Sequence, residues 1–84
     1  MKFGYFCNPT DPGLQRDWLA IMEEAREKAL FCEAEGFDSF WLAEHHFSYF
    51  GRYVLPNPVA MGIDIAARTK RIRIGVGAAI ITYW

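Results

Sequence analysis

The chain has 84 residues, 52% of them hydrophobic, and a formal net charge of −1. That balance suits one small domain and excludes the basic footprint of a nucleic-acid binder or a polybasic membrane patch. No apolar run approaches the roughly 20 residues needed to cross a bilayer. The N-terminus, one lysine before a short aromatic stretch, lacks the apolar core of a signal peptide. A cytoplasmic protein is expected.

In chain order, Lys2 to Cys7 is the first strand, with Phe3, Tyr5 and Cys7 on one face and Gly4 and Phe6 on the other. Asn8-Pro9-Thr10-Asp11-Pro12-Gly13 ends it, because prolines and a Pro-Gly pair favour turns over a ladder. A helix follows from about Gln15–Asp17 to Glu35. Its apolar stripe is Trp18, Ile21, Met22, Ala25, Ala29 and Cys32. Glu23, Glu24, Arg26, Glu27, Lys28, Glu33 and Glu35 form a face expected to be solvated, with Glu24–Lys28 attraction offsetting Glu23–Glu27 repulsion. Gly36 supplies the left-handed residue that stops the helix. The second strand is Ser39 to Ala43, followed by a loop from Glu44 to Leu55.

Asn57-Pro58 reads as an N-cap and first-turn proline. The helix it opens, Pro58 to Arg68, is expected to bury Val59, Ala60, Ile63, Ala66 and Ala67, with Lys70 and Arg71 near its C-terminal end. Ile72 to Ala78 is the third strand. Ile72, Ile74, Val76 and Ala78 form its apolar face, and Gly75 and Gly77 leave the other face almost bare. Cys7 and Cys32 fall in different elements without metal-like spacing and read as two reduced, buried thiols.

The order β-α-β-α-β, with helices long enough for parallel crossovers, defines an α/β parallel segment. Right-handed crossovers place both helices on one side of the sheet. Phe6, Phe40, Leu42 and the glycine-lined third strand are then expected to lie uncovered on the other side, which suits a poor soluble domain. Residues 1–84, ending in the apolar Ile80-Ile81-Thr82-Tyr83-Trp84, are therefore expected to be an incomplete portion of a larger barrel or to pair with another chain.

The middle strand ends in Glu44, His45 and His46. Three ionisable groups at the mouth of an apolar strand are costly to bury without partners. They are also the groups used for proton transfer, oxyanion stabilisation and ligand anchoring. The structural alternative is a set of satisfied strand-end residues. A metal-dependent hydrolase using both histidines is a weaker reading, because adjacent residues on extended backbone point to opposite faces. Phe40 and Trp41 read as core; Phe47, Tyr49, Phe50 and Tyr53 are candidates to line an apolar substrate pocket. Arg52 reads as solvated.

Met1-Lys2-Phe3-Gly4, Gly36-Phe37-Asp38, Trp41-Leu42-Ala43-Glu44-His45-His46-Phe47, Asn57-Pro58 and Gly75-Val76-Gly77-Ala78-Ala79 together resemble the bacterial luciferase-like flavin-dependent monooxygenases. The resemblance implies the N-terminal portion of a (β/α)8 TIM barrel, with phosphate-binding residues beyond Trp84. It implies reduced FMN, or F420 in some branches, bound at the C-terminal mouth and supplied by a separate flavin reductase. The reduced ring would react with O2 at C4a to give a peroxyflavin that oxidises a small organic substrate. It further implies His45 as the acid/base, Glu44 as fixing its tautomer or binding nearby polar groups, and His46 as packing or hydrogen bonding behind it. Ala78 and Ala79 become the flavin contact, joined by a non-proline cis peptide in relatives; ordinary trans alanines are the alternative. A homo- or heterodimer is implied for the full-length form. A truncated, non-catalytic relative acting as a subunit partner is the competing reading.

Overall fold

The computed structural model describes residues 1–13, 15–46, 55 and 57–80. Its elements are β1 (Gly4–Cys7), α1 (Trp18–Ala34), β2 (Ser39–Leu42), α2 (Pro58–Arg68) and β3 (Arg73–Val76). The strands form one sheet in the order β1-β2-β3, with both pairings parallel. Tyr5, Phe40 and Ile74 stand in one row across the sheet, and Cys7, Leu42 and Val76 in another. These rows face the helices, and Tyr5 stacks on Phe40 with ring centroids 5.5 Å apart. Cys7, Phe40 and Leu42 pack with Ala25, Ala29 and Cys32 of α1 and Met61 and Ile65 of α2 in a single core, so both helices cover the same face.

Phe40 and Leu42 are thus fully buried, where the sequence reading left them uncovered; Phe6 and Trp41 occupy the bare face instead. The run Phe40-Trp41-Leu42 is apolar throughout, so hydrophobicity does not reveal which alternate residues point inward. Cys7 and Cys32 are both free and buried. Burial pushes the Cys7 thiol up to about 11, which keeps it protonated.

Helix α1 ends as its glycine requires. Gly36 takes φ +85°, its N–H donates to the Glu33 carbonyl, and the Phe37 N–H donates to the Cys32 carbonyl. This pair of bonds is the Schellman arrangement. At the other end, the Asp11 carboxylate accepts from the N–H groups of Gln15 and Arg16 at 3.0 and 2.8 Å, shaping the entry to the helix. Ile21, Ala25, Ala29 and Cys32 are buried as expected. Trp18 is not: at the first position of the helix it is 54% exposed and flanks a groove with Met22, Leu55 and Met61.

Helix α2 has its expected bounds, and Asn57 Oδ1 accepts from the Ala60 N–H at 3.0 Å. Its buried face, however, is Pro58, Met61, Gly62 and Ile65, while Val59 and Ile63 are exposed. The helix carries two apolar stripes, and the sheet selects the one containing glycine. A Cβ at Gly62 would already touch Ile74 Cγ2 at 3.4 Å and Leu42 Cδ1 at 3.7 Å, so the helix can settle directly on the sheet there.

The charged face of α1 is not simply solvated. Lys28 does pair with Glu24 at 2.8 Å as expected, but Arg26 reaches across to Asp64 of α2 at 2.7 Å. Glu33 Oε2 accepts from the backbone N–H groups of Lys70, Arg71 and Ile72 at 2.8, 2.7 and 3.0 Å. One carboxylate thereby gathers the turn that leads into β3. Those three N–H groups, Arg71 first, hold the Glu33 carboxyl down from its ordinary 4.5 to about 2.

A carboxylate with a depressed native pKa stabilises the fold above its unfolded-state value and loses that contribution as pH falls through its native value. The stability advantage over Glu33→Gln should be constant above about 4.5 and shrink as pH drops from there towards about 2. Urea midpoints of the two full-length proteins across that range measure it; an unchanged difference down to the lowest pH would remove the carboxylate from the turn.

Candidate active site at the carboxyl ends of the strands

Because all three strands run the same way, their carboxyl ends meet at one edge. There lie Asn8 after β1, Glu44 to His46 after β2, and Gly77 to Ile80 after β3. Parallel α/β proteins bind ligands at this edge, since the loops there can vary while the sheet holds them in place.

The Glu44 side chain has 0% exposure and His46 only 20%. Such burial of a carboxylate is tolerable only with strong donors. Glu44 Oε1 accepts from the Ile80 N–H at 3.1 Å. Glu44 Oε2 lies 2.6 Å from His46 Nε2, within hydrogen-bond distance. Residues two apart share a side on extended chain, which accounts for Glu44 meeting His46. The intervening residue, His45, is half-buried, and its backbone N–H donates to the Leu55 carbonyl at 2.8 Å. The edge therefore brings together all three ionisable residues singled out in the sequence, with the backbone following Ala78 and Ala79.

Ala78 and Ala79 are both exposed. No peptide bond among the described residues is cis, so the cis linkage implied by resemblance is absent. The bond is trans, the lower-energy form for a non-proline peptide by about 3 kcal/mol. Phe47, Tyr49, Phe50, Arg52, Tyr53 and residues 81–84 lie outside the described residues. Among those described, no three His, Cys, Asp or Glu side chains are grouped to hold a metal ion.

Below this edge the bare face of the sheet is tiled by two aromatic side chains. Trp41 Nε1 donates to Ser39 Oγ at 2.8 Å. Its six-membered ring covers Gly75 so closely that a Cβ there would come within 2.5 Å of it. The Phe6 ring reaches to Gly77, where a Cβ would come within 2.9 Å. Gly75 of β3 and Gly77 just after it, read in the sequence only as missing side chains, are spaces for these rings.

For a flat aromatic cofactor the edge offers exposed backbone with only methyl side chains at Ala78 and Ala79, above an apolar wall. Asn8 Oδ1, also at the edge, is buried with no hydrogen-bond partner among the described residues. These features fit the ring system of a flavin, which needs room for an extended plane and polar groups at its rim.

A parallel sheet with both helices on one side, and ionisable groups at its carboxyl edge, has the layout of part of an α/β barrel. The family model for luciferase-like monooxygenases matches residues 1–84, and the chain belongs to that family. It is 33% identical over 81 residues to the alkanal monooxygenase alpha chain of the Kryptophanaron alfredi symbiont, covering 96% of this chain and 22% of the relative. It is 27% identical over 84 residues to the oxygenase component of the flavin-dependent trigonelline monooxygenase of Acinetobacter baylyi, covering 100% of this chain and 23% of that protein. Among solved structures, the oxygenating constituent of 3,6-diketocamphane monooxygenase from Pseudomonas putida, in complex with FMN, matches with a TM-score of 0.86 and 21% identity. That match covers 100% of this chain and 22% of that one. The three parallel strands and two helices are the corresponding N-terminal part of the TIM-barrel fold. The chain spans less than a quarter of the length of these relatives.

Trp41 and Gly75 are mutually dependent. Gly75→Ala should destabilise the full-length protein by about 1–3 kcal/mol, the usual cost of overpacking. In a Trp41→Leu background the same substitution should cost much less, a coupling expected of residues in contact. Denaturant unfolding of the four proteins measures the cycle; equal costs in both backgrounds would show that the ring yields freely.

Proposed function

We propose that residues 1–84 are the N-terminal portion of the barrel domain of a reduced-flavin-dependent monooxygenase acting on a small organic molecule. The observation that carries this reading is Glu44-His45-His46 at the carboxyl end of the middle strand, within a family match that spans residues 1–84. FMN is favoured over F420 because the solved neighbour holds FMN. Supply of the reduced cofactor by a separate reductase is supported by the name of the trigonelline relative, an oxygenase component. The full-length protein is proposed to act as a homo- or heterodimer.

Bound reduced flavin would supply two electrons and two protons, so that one atom of O2 enters the substrate and the other leaves as water. The chain's own residues then have separate tasks. Ala78 and Ala79 give the ring a surface without bulk. His45 holds or moves a proton, since an imidazole offers one ring nitrogen as donor and the other as acceptor. Phe6 and Trp41 form an apolar wall below the site, helping to exclude water.

The test is to mix the full-length protein with reduced FMN and oxygen and to follow O2 uptake, reduced F420 serving as the parallel arm. A protein that neither binds reduced flavin nor consumes O2 would instead be the non-catalytic subunit partner. In the active protein, His45→Ala should slow turnover about tenfold or more, the lower range for general acid–base catalysis; unchanged kinetics would remove His45 from the mechanism. Ala78→Leu should weaken FMN binding measured by fluorescence quenching, and unimpaired affinity would rule out the contact.

A further inference from the structure

The backbone bonds between β2 and the chain leaving β3 contain a phase change. The Arg73 N–H donates to the Asp38 carbonyl at 3.0 Å, and the Gly77 N–H donates to the Leu42 carbonyl at 2.7 Å. Donors and acceptors advance together by four residues, as a regular parallel ladder requires. The next rung of that ladder would join the Ala79 N–H to the Glu44 carbonyl. Instead the Ile80 N–H, one residue later, donates to the Glu44 side chain at 3.1 Å. Ala78 and Ala79 therefore form a short span of non-strand backbone, tied to β2 at Gly77 by a carbonyl and at Ile80 by a buried carboxylate. That carboxylate is itself held by His46 at 2.6 Å.

We propose that Glu44 and His46 are positioning residues whose task is to mould the Ala78–Ala79 backbone into the seat for the cofactor. This rests on the flavin reading given above and deepens it. Glu44 replaces the carbonyl that the ladder would otherwise use, and its longer reach lets the chain leave the sheet one residue out of phase. His46 fixes the carboxylate in the orientation that meets Ile80. Neither residue needs to touch the substrate or carry a proton during turnover. What matters at position 44 is an acceptor oxygen in the right place, not a negative charge.

This assignment separates variants that a charge-based role would group together. In Glu44→Ala the Ile80 N–H loses its acceptor, and affinity for FMN should fall about tenfold, the scale of one lost hydrogen bond. The absorbance shift of bound FMN should change as well, because the backbone beneath the ring has moved. Glu44→Gln keeps an amide oxygen for Ile80 and should recover most of that affinity. His46→Ala should lose affinity, and His46→Gln, which keeps a donor for Glu44, should restore it.

The measurement is titration of the full-length protein with FMN, with thermal melting in parallel to confirm that each variant folds. Should Glu44→Ala fail to fold, the His46→Ala and His46→Gln pair carries the same comparison. Glu44→Ala or His46→Ala binding FMN as tightly as the parent would overturn the proposal. So would Glu44→Gln binding as poorly as Glu44→Ala, since charge would then be the property required. A parent protein that does not bind FMN at all overturns the flavin reading itself, an outcome distinguished by the parent alone before any variant is compared.

Discussion

Parallel pairing of β2 with both neighbours is the constraint from which the rest of the structure follows. Phe40 and Leu42 lie in rows that run from Tyr5 and Cys7 to Ile74 and Val76, so their burial sets the inward face of all three strands together. A slip of one residue would exchange the buried row for Trp41 and expose Leu42 to water. The same pairing brings Asn8, Glu44 and Ala78 to one edge, although they are far apart in the chain. Site and core are two consequences of one register.

Carboxylates do similar work at opposite ends of this sheet. Glu33 gathers three backbone N–H groups of the turn entering β3, and Glu44 takes one from the chain leaving it. In both places a side chain satisfies backbone donors that no regular ladder or helix serves. The difference lies in surroundings. The residues Glu33 binds are largely open to solvent, whereas the Glu44 side chain is sealed from it and shares its second oxygen with an imidazole. A buried carboxylate that meets both an amide and an imidazole resists rearrangement, which suits an edge that must keep a fixed shape.

Helix α2 illustrates a limit of periodicity. Val59, Ile63, Ala66 and Ala67 make an apolar stripe as plausible as Pro58, Met61 and Ile65, and nothing within the helix ranks them. Gly62 decides between them only once Leu42 and Ile74 are present, because close approach to a sheet is a property of two surfaces. The inward parity of Phe40-Trp41-Leu42 was hidden for a related reason: all three residues are apolar. Charged partners were similarly illegible. Arg26 meets Asp64, and Glu33 meets Lys70 to Ile72, across separations that no local spacing encodes.

Sequence by itself determined the element order, the helix stop at Gly36, the Asn57 cap and the polar cluster at the end of the middle strand. Each depends on local backbone preference or on residue types within a few positions of one another. Tertiary structure decided which face of each element is buried, that Glu44 binds His46 and the Ile80 amide, and that Gly75 and Gly77 make room for Trp41 and Phe6. Those outcomes require strands from distant parts of the chain to stand side by side. Only then does a missing Cβ become space for a neighbour's ring, or a carboxylate meet the donors that make its burial tolerable.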